Sequence, residues 1–141
     1  MSINFLGFVQ GRISKSPKNS LQHFPKNWKE EFKEAKKLNI KFIEFFSERQ
    51  FKKQNPIWTN DGVKNYKSML KKNSLSPYTF CDDFIISNCL KNIKTKKYLK
   101  KLIKQIKLLN IKYLILPMYG KSILNDKNYM SYAATLKELT F

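Results

Sequence analysis

Leu38-Asn39-Ile40-Lys41-Phe42-Ile43 and Leu109-Asn110-Ile111-Lys112-Tyr113-Leu114 are two copies of one six-residue pattern. In each, an amphipathic stretch ends at Asn, which tolerates the left-handed conformation just past a helix. An apolar run then begins two residues later. This is how the joint between a helix and the next strand of a βα repeat reads. Four such runs recur, Asn4 to Val9, Lys41 to Phe46, Pro77 to Cys81 and Lys112 to Pro117, with starts 37, 36 and 35 residues apart. Continuous apolar runs such as Phe42-Ile43 and Tyr113-Leu114-Ile115-Leu116 suit parallel strands covered on both faces.

The segments between the runs have helical spacing. Asn27 precedes Trp28-Lys29-Glu30 as an N-cap with Glu three positions on, and Trp28, Phe32, Ala35 and Leu38 form one stripe. A second helix opens near Thr59 to Asp61 and turns Val63, Tyr66 and Leu70 inward. A third carries Leu99, Leu102, Ile103, Ile106 and Leu109, and a fourth begins near Asp126 and uses Met130, Ala133, Leu136 and Leu139. All of these stripes read as core packing.

Regular βα repetition leaves a doubly wound sheet or a (β/α)8 barrel. The first strand is followed by Gln10-Gly11-Arg12, without the glycine-rich turn of a dinucleotide site. Polar residues cluster at strand C-terminal ends, where barrel enzymes build their sites: Gln10 and Arg12, Glu44, Asp82 and Asp83, then Tyr119 with Lys121. The expectation is an α/β fold, a single domain over residues 1–141, with four βα units forming the N-terminal half of a TIM barrel. A whole barrel takes roughly 250 residues. Leu139-Thr140-Phe141 reads as an interrupted element, with no C-cap Gly or Asn after Leu139.

Composition narrows the classes. Among 141 residues, 42% are hydrophobic and 14% aromatic, which is enough for a core and unlike a disordered chain. No apolar stretch approaches the roughly 18 residues of a membrane span, and Met1 to Phe5 lacks the basic start of a signal peptide. Cys81 and Cys89 lack metal-ligand spacing. The expected setting is cytoplasmic, with no membrane partner. The net charge is +18, but only Arg12 and Arg49 are Arg, the residue that specific phosphate and base readout favours. Lys accompanies Asn, Ile, Phe and Tyr, all with A/T-rich codons, so solvated helix faces explain the excess and nucleic acid is not the expected partner.

The chain resembles the sugar phosphate isomerase/epimerase family of xylose isomerase-like TIM barrels. The resemblance rests on Gly11-Arg12-Ile13-Ser14, Gln22-His23-Phe24-Pro25 leading into Trp28, Glu31-Phe32 with Ala35, and Phe42-Ile43-Glu44-Phe45. It continues through Asn55-Pro56-Ile57-Trp58, Cys81-Asp82-Asp83-Phe84 and Leu114-Ile115-Leu116-Pro117. It covers nearly the whole chain and the N-terminal half of such a protein. It implies metal-assisted proton transfer next to the carbonyl of a sugar or sugar phosphate. It also implies a divalent ion (Mn, Mg, Co or Zn) in the complete enzyme, held by Glu, Asp and His mostly from the fifth strand onward, where the paired Glu bases are expected too. This chain has one His and Pro117-Met118-Tyr119-Gly120 after its fourth strand, so it supplies no metal set of its own and is expected to be inactive alone.

The candidate substrate-binding residues are Glu44, Asp83, Asp82, Arg12, Gln10, Tyr119 and His23. Glu44 ends a strand inside an apolar run, where a carboxylate is costly to bury unless it faces a barrel mouth, a partner or a cap. Asp82 and Asp83 are adjacent and diverge, so one of them faces the mouth. Arg12 suits a phosphate or sugar contact, with a solvated loop as the plainer role. His23 and Gln22 belong to a polar loop and read as surface or lid contacts. Cys81 reads as a small buried hydrophobe without an activating base.

The implied partners are a sugar or sugar phosphate, together with a C-terminal half-barrel in cis or a second copy. The alternative function is a non-catalytic sugar-phosphate-binding half-barrel that dimerises, hiding its open strand edges. An abasic-site endonuclease-like protein fits less well. Such enzymes place histidines at the third and fourth strand ends, where this chain has Asp82, Asp83 and Tyr119.

Overall fold

The structure, a computed structural model, describes residues 6–15 and 23–140. Met1 to Phe5, including the start of the first apolar run, and also Gln22 and Phe141, lie outside the described residues. The chain runs β1 (Gly7–Val9), α1 (Trp28–Lys37), β2 (Phe42–Ser47), α2 (Asn60–Asn73), β3 (Ser76–Asp82), α3 (Phe84–Ser87), α4 (Ile93–Leu108), β4 (Tyr113–Ile115) and α5 (Tyr129–Thr140). The strands form one parallel sheet in the order β1-β2-β3-β4. Right-handed crossovers that always advance in one direction place their helices on one face of the sheet. The order never reverses, so the switch point of a doubly wound fold is absent from these four strands. The architecture is α/β and compatible with half of a barrel.

The repeated joint is built as the sequence implies. Asn39 and Asn110 both adopt left-handed backbone, at φ 56° and 59°. At α1, the Asn39 N–H donates to the Lys36 carbonyl at 3.0 Å and the Ile40 N–H to Ala35 at 2.9 Å. At α4, Asn110 donates to Lys107 at 3.1 Å and Ile111 to Ile106 at 3.2 Å. These paired bonds form the Schellman closure, which satisfies the last carbonyls of a helix. Helix α2 closes the same way through Ser74 at φ 54° and Leu75, a joint that lacks the Asn cue.

The core lies between the helices and one face of the sheet. Phe8, Ile43, Phe45, Phe80 and Leu114 turn toward Trp28, Phe32, Tyr66, Leu70, Leu99 and Leu102. Tyr66 is fully buried among the rings of Trp28 (4.7 Å between centroids), Phe45 (4.7 Å) and Phe32 (6.2 Å). Alternation along the strands sends Val9, Phe42, Glu44, Cys81, Tyr113 and Ile115 to the opposite face, where Tyr113 and Ile115 are exposed.

Several sequence expectations need correction. The Asn27 side chain makes no cap; its main-chain carbonyl accepts from the Glu30 N–H at 2.9 Å instead. Leu38 follows the last turn of α1 and is exposed. In α5 Leu136 and Leu139 of the expected stripe pack against the core together with the buried Tyr132 and Thr135, whereas Met130 is 77% exposed. The short helix α3 was not anticipated; four residues are too few to show a period.

Charge is unevenly spread over the helices. Helix α1 sets Lys33 and Lys37 against Glu30 and Glu34 at 2.7 and 2.6 Å. Helix α4 carries Lys94, Lys96, Lys97, Lys100, Lys101, Lys104 and Lys107 and no acid. Like charges three or four positions apart each cost a helix roughly 0.2–0.5 kcal/mol. The buried stripe of Leu99, Leu102 and Ile106 holds α4 in place against that repulsion.

The left-handed joints give a direct test. Asn110→Ala should lower the unfolding free energy by about 1 kcal/mol, while Asn110→Gly should leave it equal or slightly higher. Equal urea midpoints for the two variants would contradict this account of the joint.

Candidate functional site

On the helix-free face the four strands present one acid, Glu44. It lies in the middle of β2 rather than at its end, because Phe45, Phe46 and Ser47 continue pairing with β3 as far as Asp82. The Thr79 hydroxyl donates to Glu44 Oε2 at 2.5 Å, a short charge-assisted bond. This pairing depends on a register shift. Ile43 pairs with Pro77 and Glu44 with Thr79, so Tyr78 is an extra residue in β3. Tyr78 meets the rings of Phe42 (6.1 Å) and Tyr113 (5.7 Å) on the same face. A concavity of about 510 Å³ opens there, lined by Gly7, Val9, Phe42, Glu44, Tyr78 and Thr79. A carboxylate and a hydroxyl above aromatic walls can hold a small polyhydroxylated molecule by hydrogen bonds and ring contact.

At the C-terminal end of β1 the polar residues have other duties. Gln10 turns into the helix layer, where its Nε2 donates to the Tyr66 hydroxyl at 3.4 Å, and it is 2% exposed. Tyr66 in turn donates to Asn55 Oδ1 at 3.1 Å, and Asn55 Nδ2 donates to the Phe46 carbonyl at 3.1 Å. Arg12 is exposed on the loop and is free to meet a ligand. That loop is held by Glu31 of α1, which is 2% exposed. The Gly11 N–H reaches both Glu31 oxygens at 2.8 and 2.9 Å; the Ile13 and Ser14 N–H groups reach Oε1 at 3.1 and 3.3 Å. Gly11 stands at φ +92°, and a Cβ there would lie 2.3 Å from the His23 carbonyl oxygen. His23 is therefore buried against the loop instead of exposed on a lid. Glu48, just after β2, accepts from the Phe24 N–H at 2.9 Å.

Asp82 and Asp83 diverge, as adjacent residues on an extended chain should. Asp82 is completely buried on the helix side, accepting from the Tyr98 hydroxyl at 2.8 Å and from Ser47 Oγ. It therefore does not face the mouth. Burial pushes its carboxyl up to about 6, against the pull of the Ser47 and Tyr98 hydroxyls. Asp83 stays beside Cys81, whose Sγ lies 3.8 Å from its Oδ1. Burial raises the Asp83 carboxyl, and the Arg49 guanidinium pulls it back. Burial and the surrounding acids push the Cys81 thiol up to about 12, so it is not a nucleophile at neutral pH. Tyr119 is 48% exposed after β4, at the edge of a short turn, Gly120–Ser122, that packs under α3.

The structure thus brings Glu44 and Thr79 together and leaves Arg12 and Tyr119 exposed in the loops after β1 and β4; Gln10, Asp82, Asp83 and His23 are buried elsewhere. Sequence reasoning missed Thr79, Tyr78 and the anchoring role of Glu31. Glu31 had a signal, since an acid on the apolar side of α1, next to Phe32, needs buried donors. Among the described residues no three His, Cys, Asp or Glu side chains converge to hold a metal ion, in a chain whose resemblance implies metal ligands mostly from the fifth strand onward. No helix among them is long and apolar enough to cross a membrane. No protein-family model matches the chain, and no curated protein matches it.

Two measurements check this layout. The folded Asp82 carboxyl lies above its ordinary value of 3.8, so its favourable share of stability is full below about 3.8 and is lost as pH rises through about 6. The native chain should therefore gain on the order of 3 kcal/mol over Asp82→Asn between pH 7 and pH 3.5. A pH-independent difference in unfolding free energy would refute it. Glu31→Gln keeps one acceptor oxygen but loses the charge, and should cost about 2 kcal/mol in a urea titration.

Proposed function

We propose that this chain is the N-terminal, substrate-holding half of a (β/α)8 barrel of the xylose isomerase-like kind, and that the barrel isomerises or epimerises a sugar or sugar phosphate. The observation that carries the reading is the Glu44–Thr79 pair, the acid on an otherwise apolar inner face, above a concavity walled by Phe42 and Tyr78. The one-way parallel order of the strands supports it, because such a sheet curls toward closure with its bare face inside.

Isomerisation next to a carbonyl needs a base that takes a proton from the neighbouring carbon. The C–H electron pair becomes the enediolate double bond, the carbonyl oxygen takes the negative charge, and the proton returns to a different carbon or face. Glu44 suits the role of base: Thr79 fixes one carboxylate oxygen, and the other has no hydrogen-bond partner among the described residues. Arg12 in the loop after β1 suits a phosphate, with that loop fixed by Glu31. The step assigned to this half runs through Glu44.

The test is a calorimetric titration with pentose and hexose phosphates. Saturable binding is expected, weakened about tenfold by Glu44→Gln and by Thr79→Val, the loss of one strong hydrogen bond. The failure of every compound to bind, or native affinity in both variants, would overturn the reading. A second reading is a non-catalytic binding half-barrel closed by another copy. It is favoured by the outer edges of β1 and β4, which pair with no further strand among the described residues, and by exposed Tyr113 and Ile115. A monomeric mass by analytical ultracentrifugation would remove it.

A further inference from the structure

We propose that the outer face of α4 is a binding surface for the phosphate backbone of a nucleic acid, recognised by charge and not by base sequence. Lys94, Lys97, Lys100, Lys101, Lys104 and Lys107 are all exposed along this helix, and among the described residues none has an acid within ion-pair distance. Lys96 is paired with Glu138 of α5 at 2.9 Å, and Lys100 also feels that carboxylate. Lys94, Lys97, Lys101 and Lys104 follow helical spacing down one side, and Lys100 and Lys107 lie beside them.

Codon composition explains an abundance of lysine but not this segregation. Glutamate is also encoded by an A-rich codon, and α1 alternates four lysines with three glutamates. Helix α4 has seven lysines and no acid. Placing the repulsion on one surface, without internal compensation, leaves a row of cations open to an external polyanion. The row extends about 15 Å from Lys94 to Lys104, enough to follow several successive phosphates. A nucleic acid fits better than an anionic membrane. The apolar stripe of α4 (Leu99, Leu102, Ile106) is buried in the core, and its exposed apolar residues, Ile93 and Leu108, stand at opposite ends of the helix, so it has no continuous apolar face to insert between lipids. With lysine alone on the face, binding rests on counterion release and not on bidentate readout of bases.

The experiment is fluorescence anisotropy with a labelled 30-nucleotide single strand and a 30-base-pair duplex, each in two unrelated sequences, from 50 to 200 mM salt. The full chain is compared with Lys97→Gln/Lys101→Gln/Lys104→Gln and with Lys29→Gln/Lys33→Gln/Lys37→Gln on α1, which removes the same charge elsewhere. Circular dichroism checks that both variants are folded. The α4 variant should bind at least tenfold more weakly and lose about 2 to 3 from the slope of log affinity against log salt. The α1 variant should stay within about threefold of native. Equal losses in the two variants would show a general charge effect and overturn the proposal. So would the absence of salt-dependent binding, or tighter α4-dependent binding to vesicles of 30% phosphatidylserine than to either nucleic acid.

Discussion

Tyr66 is the point on which the packing of this molecule converges. Its ring contacts Trp28 and Phe32 of α1 and Phe45 of β2, and its hydroxyl bridges Gln10 at the end of β1 to Asn55 after β2. One side chain thereby ties two helices, a strand and two loops. Burial drives its phenol far above the ordinary range, so it acts as a neutral hydrogen-bonding group and not as an acid. The site face depends on this tie, because β1 and β2 carry Val9, Phe42 and Glu44 on the opposite side of the sheet from Tyr66.

The carboxylates divide by what surrounds them. Glu31 is surrounded by main-chain N–H groups, Asp82 by two hydroxyls, and Glu48 reaches the Phe24 N–H. Each fixes a loop or a strand end. Glu44 has a single short bond from Thr79 and opens onto a concavity. What matters is access: the remaining oxygens of Asp82 and Glu48 are buried, whereas the half-satisfied Glu44 stands beside open space. This difference, more than position at a strand end, singles out Glu44.

The repeat was legible in the sequence because its physical cause is local. The Leu-Asn-Ile-Lys pattern marks a left-handed joint followed by a strand, and both copies fold that way. The inward stripes of α2 and α4 were equally legible, since Val63, Tyr66, Leu70, Leu99 and Leu102 are all buried. The facing of strand-end polar residues was not. It depends on counting alternation through β3, and the extra residue at Tyr78 breaks that count; Pro77 just before it is the cue, since proline within a sheet is confined to edges, strand starts and bulges. Gln10 and Asp82 lie on the helix side because of tertiary partners, Tyr66 and Tyr98, far away in sequence. In α5 the weak amphipathic pattern located Leu136 and Leu139 but not Tyr132 or Thr135, which are buried beside them.

The register shift at Tyr78 also bears on how such a chain can change over generations. Loss of that single residue would leave Pro77 opposite Ile43, Thr79 opposite Glu44 and Phe80 opposite Phe45, so the later residues of β3 would keep their faces. What would go is the Tyr78 ring, which stands between Phe42 and Tyr113 in the wall of the concavity. Loss of a residue after Thr79 would act differently, because no spare position exists there and Asp82 would turn from the helix layer to the open side. The bulge is therefore the one place in this part of the strand where chain length can vary without disturbing the core, so the shape of the open face can drift while the packing behind it stays fixed.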